Sequence, residues 1–266
     1  MKLLTLIGII LQLIFTESKA QVNFENNPST ISYSGSDVTR TDVLSNPATI
    51  YKTNQYVKLF YTPLNFGFQS FNELGLECNY KFGLSNGVGF KINSVNILTY
   101  SETNLSLNGG IEIFPGIGFG IGFGMISKSI QGYSSAISFP INIGTSVDVT
   151  KEISFGAKAD NINRASISGE NLSQNIAIGF GFLLAELTNI TFEVNQELDN
   201  NLITSLGISH ILSKELKFKS GIKSYPATVS GGLDLKIDNF NIDFGSSYSY
   251  PIGFKLCFGL GYVYGN

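Results

Sequence analysis

Tryptophan is absent from the 266 residues, histidine occurs once and cysteine twice. A single histidine excludes any two-histidine metal site and leaves one ordinary base near neutral pH. Charge is scarce too. Only 14% of residues are charged, the formal net charge is −3 and no basic block occurs, so nucleic acid is not an expected partner. After the first twenty residues no apolar run reaches 18, which excludes helical membrane spans. No nucleophile–base set or metal-ligand cluster is visible, so neither enzyme chemistry nor a cofactor is expected. The glycines at 116–124 mimic a phosphate loop, but they lie inside a strand pattern.

Glycine (29), phenylalanine (21) and tyrosine (12) are what the chain has in quantity. The run 252–264 shows how they are used. Its even positions read Ile252, Phe254, Leu256, Phe258, Leu260, Tyr262 and Tyr264, and its odd ones are Gly253, Lys255, Cys257, Gly259, Gly261 and Val263. Side chains alternate across a strand, so one face is wholly apolar and the other small or polar. The same alternation appears at Ile117–Met125, Ile176–Leu184 and Phe240–Tyr248, with Glu193, Asn195, Lys217, Lys219 and Lys223 on the opposite phase.

The chain opens on a secretory signal over residues 1–20: Lys2, an apolar stretch from Leu3 to Phe15, and Ser18-Lys19-Ala20 before the cut. Residues 21–54 are rich in Asn, Ser and Thr and do not alternate; residues 55–266 do. Strands are expected at 55–63, 73–82, 86–97, 100–113, 116–129, 133–149, 152–163, 173–185, 188–199, 201–212, 215–225, 227–237, 239–250 and 252–264. That even number suits a closed antiparallel transmembrane β-barrel, and many runs exceed the roughly 9–11 residues that a tilted strand needs to cross a bilayer.

A soluble β-sandwich is the competing fold. It would need shorter strands and a charge-dense wet face, whereas the wet phase here is mostly Gly, Ser and Asn. Tight connections at Thr150-Lys151, Ser213-Lys214 and Asp238 read as periplasmic turns, which places the longer 64–72 and 164–172 outside. Cys78 falls on the apolar phase and Cys257 on the polar one, so two thiols are expected rather than a disulfide.

Ser45-Asn46-Pro47-Ala48 before the first strand, with Leu59-Phe60-Tyr61-Thr62-Pro63-Leu64, Tyr100-Ser101-Glu102-Thr103 and Ala159-Asp160-Asn161-Ile162-Asn163-Arg164, is similar to the PorV/PorQ family. Those are outer-membrane proteins of Bacteroidota type, related in turn to FadL-type channels. The resemblance implies that 21–54 is a luminal plug or anchor pinned by Asn46, Pro47 and Ala48. Pro47 would fix its own φ and hold Asn46 extended, leaving the amide for barrel backbone; an ordinary turn is the plainer reading. The chain reads Thr49-Ile50 where fuller members continue Gly-Leu-Ala, and the long outer loops of FadL-type channels are absent.

The resemblance implies an outer-membrane component of Gram-negative, Bacteroidota-type cells associated with protein secretion, with membrane lipid and secretion-machinery proteins as partners. The alternative is a FadL-like passive channel for a small hydrophobic molecule.

Three further features are expected in the wall. Lys217 should stand across from Asp234, with Asp243, Lys219 and Lys236 completing a luminal charge cluster. Its plain role is to fill a narrow lumen; a filter or plug latch is the other. Pro140 should kink or bulge its strand, where FadL-like channels open sideways. His210 falls on the apolar phase near a periplasmic turn; interfacial packing is expected there, against the Ser-His pair of outer-membrane phospholipases.

Overall fold

The computed structural model describes residues 27–64, 66, 71–198 and 201–264, so the expected signal at 1–20 and residues 21–26 lie outside the described residues. A short helix, α1 (Pro28–Ser32), and a 3-10 turn (Pro47–Thr49) precede the strands. These are β1 (Tyr56–Leu64), β2 (Phe71–Lys81), β3 (Asn86–Ile97), β4 (Tyr100–Phe114), β5 (Ile117–Ile130), β6 (Ala136–Ser138), β7 (Ile141–Asp148) and β8 (Ile153–Asp160). A small hairpin, β9 (Ser166–Ile167) and β10 (Glu170–Asn171), follows. The chain continues as β11 (Asn175–Leu184), β12 (Thr188–Glu197), β13 (Leu202–Ile211), β14 (Leu216–Lys223), β15 (Thr228–Ile237), β16 (Phe240–Ser249) and β17 (Gly253–Val263).

Every neighbouring pair is antiparallel. β17 returns to β1 with Val263 opposite Tyr56, and the β4–β5 pairing closes the ring. With β6 and β7 as one interrupted strand, the wall has fourteen, within a few residues of the expected bounds.

The alternation decides which face is wet. Phe254, Phe258, Leu260 and Tyr262 point outward and exposed, while Lys255 and Cys257 are buried in the lumen at 4% and 0% exposure. The outward row continues across strands: the Phe180 ring centroid lies 5.4 Å from that of Phe192 and 6.4 Å from that of Phe155. Among the described residues no second sheet covers these rows, so the sandwich arrangement does not occur, and an apolar band on a closed barrel is the surface hydrocarbon requires. Cys78 stands in the outward row and Cys257 in the inward one, and no disulfide links them.

Connections at one end are uniformly short, and those at the other vary. Those at 82–85, 115–116, 149–152, 185–187, 212–215 and 238–239 share one end with Tyr56 and Val263 (the turn end); the longest, 161–174, lies at the other (the loop end).

Pro140 separates β6 from β7, and the structure corrects the expected bulge. Ser138 faces Ile126 and Ile141 faces Phe123, so the register against β5 is unchanged and no residue is inserted. Gly124 N still donates to Pro140 O at 2.8 Å; only the reciprocal bond, for which proline has no N–H, is lost. The real discontinuity is toward β8. That ladder stops at Ile143 opposite Ala159, because Asn161 turns the chain away with φ 54°.

Phe180→Lys places a charge in the centre of the outward aromatic row. It is expected to destabilise the barrel by about 2–4 kcal/mol, read from denaturant-dependent insertion into vesicles. Ser205→Lys, on the inward phase, should not show this membrane-depth penalty.

Candidate functional site

The lumen is occupied by the chain's own N-terminal segment. It makes one circuit of the inner wall, touching inward glycines in turn: Pro28 at Gly245 of β16, Ser32 at Gly232 of β15, and Tyr33 at Gly221 of β14 and Gly207 of β13. Val38 then meets Gly179 of β11 and Gly156 of β8, Asn46 meets Gly144 of β7, and Pro47 meets Gly120 of β5 and Gly110 of β4. Ile50 reaches Gly87 of β3, and Asn79 of β2 donates to the carbonyls of Thr53 (2.9 Å) and Asn54 (3.1 Å). The fit leaves no room for side chains. A Cβ on Gly156 would stand 2.6 Å from Val38 O, and one on Gly110 2.5 Å from Pro47 O.

Asn46, Pro47 and Ala48 form the tightest part of the circuit. Asn46 is extended (φ −107°, ψ 119°) and caps the 3-10 turn, its Oδ1 accepting from Ala48 N at 3.0 Å. Its Nδ2 donates to Val38 O (2.8 Å) and to Thr145 O of β7 (3.2 Å). One side chain therefore closes a turn, joins two arms of the segment and holds both to the wall. Glu193 of β12 does comparable work, accepting from the backbone N–H of Asp37 and of Val38, both at 2.9 Å. Lys52 reaches Asp148 at 2.7 Å at the turn end.

Charges knit the same interface. Lys217 faces Asp234 at 3.9 Å, Lys219 approaches Asp234 at 2.5 Å, and Asp243 is cross-strand to Asp234. Lys236, expected beside them, is instead exposed: it lies opposite Asn241, near the 238–239 turn and away from the pairing groups. Three members come from elsewhere. Lys58 of β1 pairs with Asp243 at 2.5 Å. Arg40 and Asp42 of the segment pair at 2.7 Å, and Asp42 also stands 3.6 Å from Lys217 and 3.8 Å from Lys219. The Arg40 guanidinium lies 3.6 Å from the Tyr33 ring centroid and donates to Ser29 O. Asp42 could not be found in the sequence, because its partners arrive from β14, some 175 residues on.

Burial alone would raise the Asp42 carboxyl, but Arg40, Lys217 and Lys219 outweigh it and hold it well below its ordinary 3.8. Burial would likewise lower Arg40, yet Asp42 and Tyr33 raise it.

Beside the segment, toward the loop end, lies a cavity of about 710 Å³. Val43, Leu44 and Ser45 line it from the segment; Lys91, Glu102, Asn104, Lys128, Asp160 and Asn175 line it from the wall. It extends to Pro140, Asn142, Asn161 and Leu172, at the seam where the β7–β8 ladder has ended. One backbone bond, Ile162 N to Ile141 O at 2.9 Å, and several side chains close that seam. Asn163 Oδ1 accepts from Ile141 N and its Nδ2 donates to Phe139 O, both at 2.9 Å; Asn142 Oδ1 accepts from Asn161 N at 2.9 Å. His210 is remote from all of this, half-buried near the turn end, with Nδ1 2.8 Å from Thr188 Oγ1.

No protein-family model matches the chain, and no curated protein matches it. Solved structures do match in fold. The toluene transporter TodX of Pseudomonas putida aligns at TM-score 0.68 and 10% identity over 91% of this chain and 98% of that one. The toluene transporter TbuX of Ralstonia pickettii aligns at 0.67 and 10% identity, over 91% and 100%. The monoaromatic hydrocarbon channel CymD aligns at 0.62 and 10% identity, over 91% and 98%.

Two outcomes follow from the buried charges. Asp243→Asn strands the Lys58 ammonium in the wall and is expected to cost about 3–5 kcal/mol, visible as a lowered unfolding temperature in detergent; replacing Lys58 with Met as well should recover most of it. For Asp42 the folded pKa is the depressed one, so its contribution to holding the segment is complete above 3.8 and disappears as pH falls through the lower folded value. The part of the protection of residues 27–54 against proteolysis that Asp42 supplies should be lost only in strong acid, and Asp42→Asn should remove that acid-dependent part. The fold these structures share with the chain is the closed antiparallel barrel of bacterial outer-membrane channels.

Proposed function

We propose that the protein is a plugged outer-membrane channel for small molecules. Residues 27–54 act as the plug, and the cavity above them is an outward-facing vestibule. The observation that carries this reading is the cavity itself: about 710 Å³, floored by the N-terminal segment and bounded on one side by a seam without a backbone ladder. Its size is in the range of pockets that hold drug-sized ligands. A solute that enters from the loop end meets the plug below and the Asn142–Asn161–Asn163 seam beside it. Opening the seam requires breaking one backbone bond and a few asparagine side-chain bonds, whereas the segment is held by a full circuit of contacts. Lateral release into the membrane is therefore the easier route, and it suits a cargo with hydrophobic character. Fold relatives described as toluene and monoaromatic hydrocarbon channels support the same reading. The secretion-component reading rests on the PorV/PorQ resemblance alone.

Cross-linking cysteines placed at Phe139 and Asn163 should abolish uptake of a small aromatic solute by vesicles while leaving the barrel folded; reduction should restore it. Deleting 27–54 should open a large ionic conductance in planar bilayers. Unchanged uptake in the cross-linked form would sink the lateral route, and no conductance after deletion would sink the plug.

A further inference from the structure

The fold relatives are named for hydrocarbons, but the lining of this vestibule combines apolar surface with amides and charges. Resting on the channel reading, we infer that the cargo is a small amphiphile: a hydrophobic body carrying a hydroxyl-rich head, of aryl glycoside chemistry.

The distribution of groups around the cavity supports the inference. Its apolar lining includes Leu105 and Ile126 from the wall, with Pro140 and Leu172 flanking the seam. The remainder of the wall presents amides and opposed charges. Lys128 stands 3.8 Å from Glu102, and Lys158 stands 3.8 Å from Asp160 while donating to Ser45 Oγ at 2.9 Å. Pairs at 3.8 Å are long for charge-assisted hydrogen bonds, which run nearer 2.7–2.9 Å. A hydroxyl can therefore insert between the partners, donating to the carboxylate and accepting from the ammonium.

One partner of each pair is reachable. The side chains of Lys128 and Asp160 are 34% and 29% exposed. Asn104 and Asn175 are half-buried and already oriented, with Nδ2 of Asn104 donating to Glu102 Oε1 at 2.9 Å.

The balance of signs narrows the choice. Each of these lysines has a carboxylate neighbour, so the wall offers no unmatched cation to select a phosphate. Alternating donors and acceptors match hydroxyls, which are both. A bare hydrocarbon would have to strip water from these groups and return nothing, a loss that polar sites do not recover. A hydroxyl-rich head replaces that water while the body lies against Ile126, Pro140 and Leu172, facing the way out.

The test reads occupancy directly and does not depend on transport. Ser106, on the vestibule wall, is replaced by cysteine, and its labelling by a charged maleimide is timed in nanodiscs. The competitors are 4-nitrophenyl glucoside, methyl glucoside and toluene. The aryl glucoside at three times its dissociation constant should slow labelling about fourfold, and Asn104→Ala with Asn175→Ala should abolish that protection. Methyl glucoside and toluene should protect much less. Equal protection by toluene, equal protection by methyl glucoside, or no protection by the aryl glucoside would each overturn the proposal. Ser173→Cys, in the loop near the mouth, repeats the measurement if Ser106→Cys fails to fold. Because no flux is measured, a failed channel reading leaves this result interpretable, and a sealed vestibule that still binds the aryl glucoside separates the two.

Discussion

Closing fourteen strands into a ring commits every second side chain to an interior with little water, so the inward polar row must find its partners inside. The wall alone does not satisfy it. Lys217 and Lys219 share Asp234, and Asp243 beside it is balanced by Lys58 from across the β17 strand. Asp42 of the segment then approaches both β14 lysines, and Arg40 balances Asp42 in turn. The segment is as much a counter-ion for the wall as an obstruction within it. A change at either side is therefore felt by both.

Steric fit works in the same direction as charge. Many inward glycines lie along a belt around the lumen, where they take backbone or side-chain atoms of the segment that a Cβ would collide with. In water, glycine in strands is a weakness, costing entropy and packing. Here each one gives close approach instead, and the segment supplies the packing that a bare glycine leaves undone. This explains why the wet phase is so poor in large polar groups: most of the turn-end half of the lumen is filled by main chain.

That also separates what the sequence disclosed from what it concealed. Strand positions and facing were legible because period-two alternation is local and is enforced by hydrocarbon outside. The Lys217–Asp234–Asp243 register was legible because hairpins carry it from one strand to the next. Asn46-Pro47-Ala48 was legible as a constrained turn, since proline fixes the geometry that lets Asn46 cap it. The roles of Arg40, Asp42 and Glu193 were hidden, because they depend on how an irregular segment winds past distant strands. The glycines were visible as a small inward row, but nothing local revealed what they make room for. Pro140 was visible as a fault, yet its register is intact; the seam arises from Asn161 turning away on the next strand.

The seam and the plug differ in how they can open. Releasing the segment means breaking buried ion pairs and withdrawing a complete circuit of close-packed backbone, all at once. Opening beside Pro140 means breaking the Ile162 N–Ile141 O bond and rotating asparagine side chains, bonds that water can replace. Local openings draw on the least protected contacts, so motion should concentrate at the seam while the segment stays seated. On the channel reading proposed above, a vestibule with a firm floor and a loose side wall would send its contents sideways. The apolar residues stand at that wall, and the polar residues line the space a hydrated solute must cross to reach it.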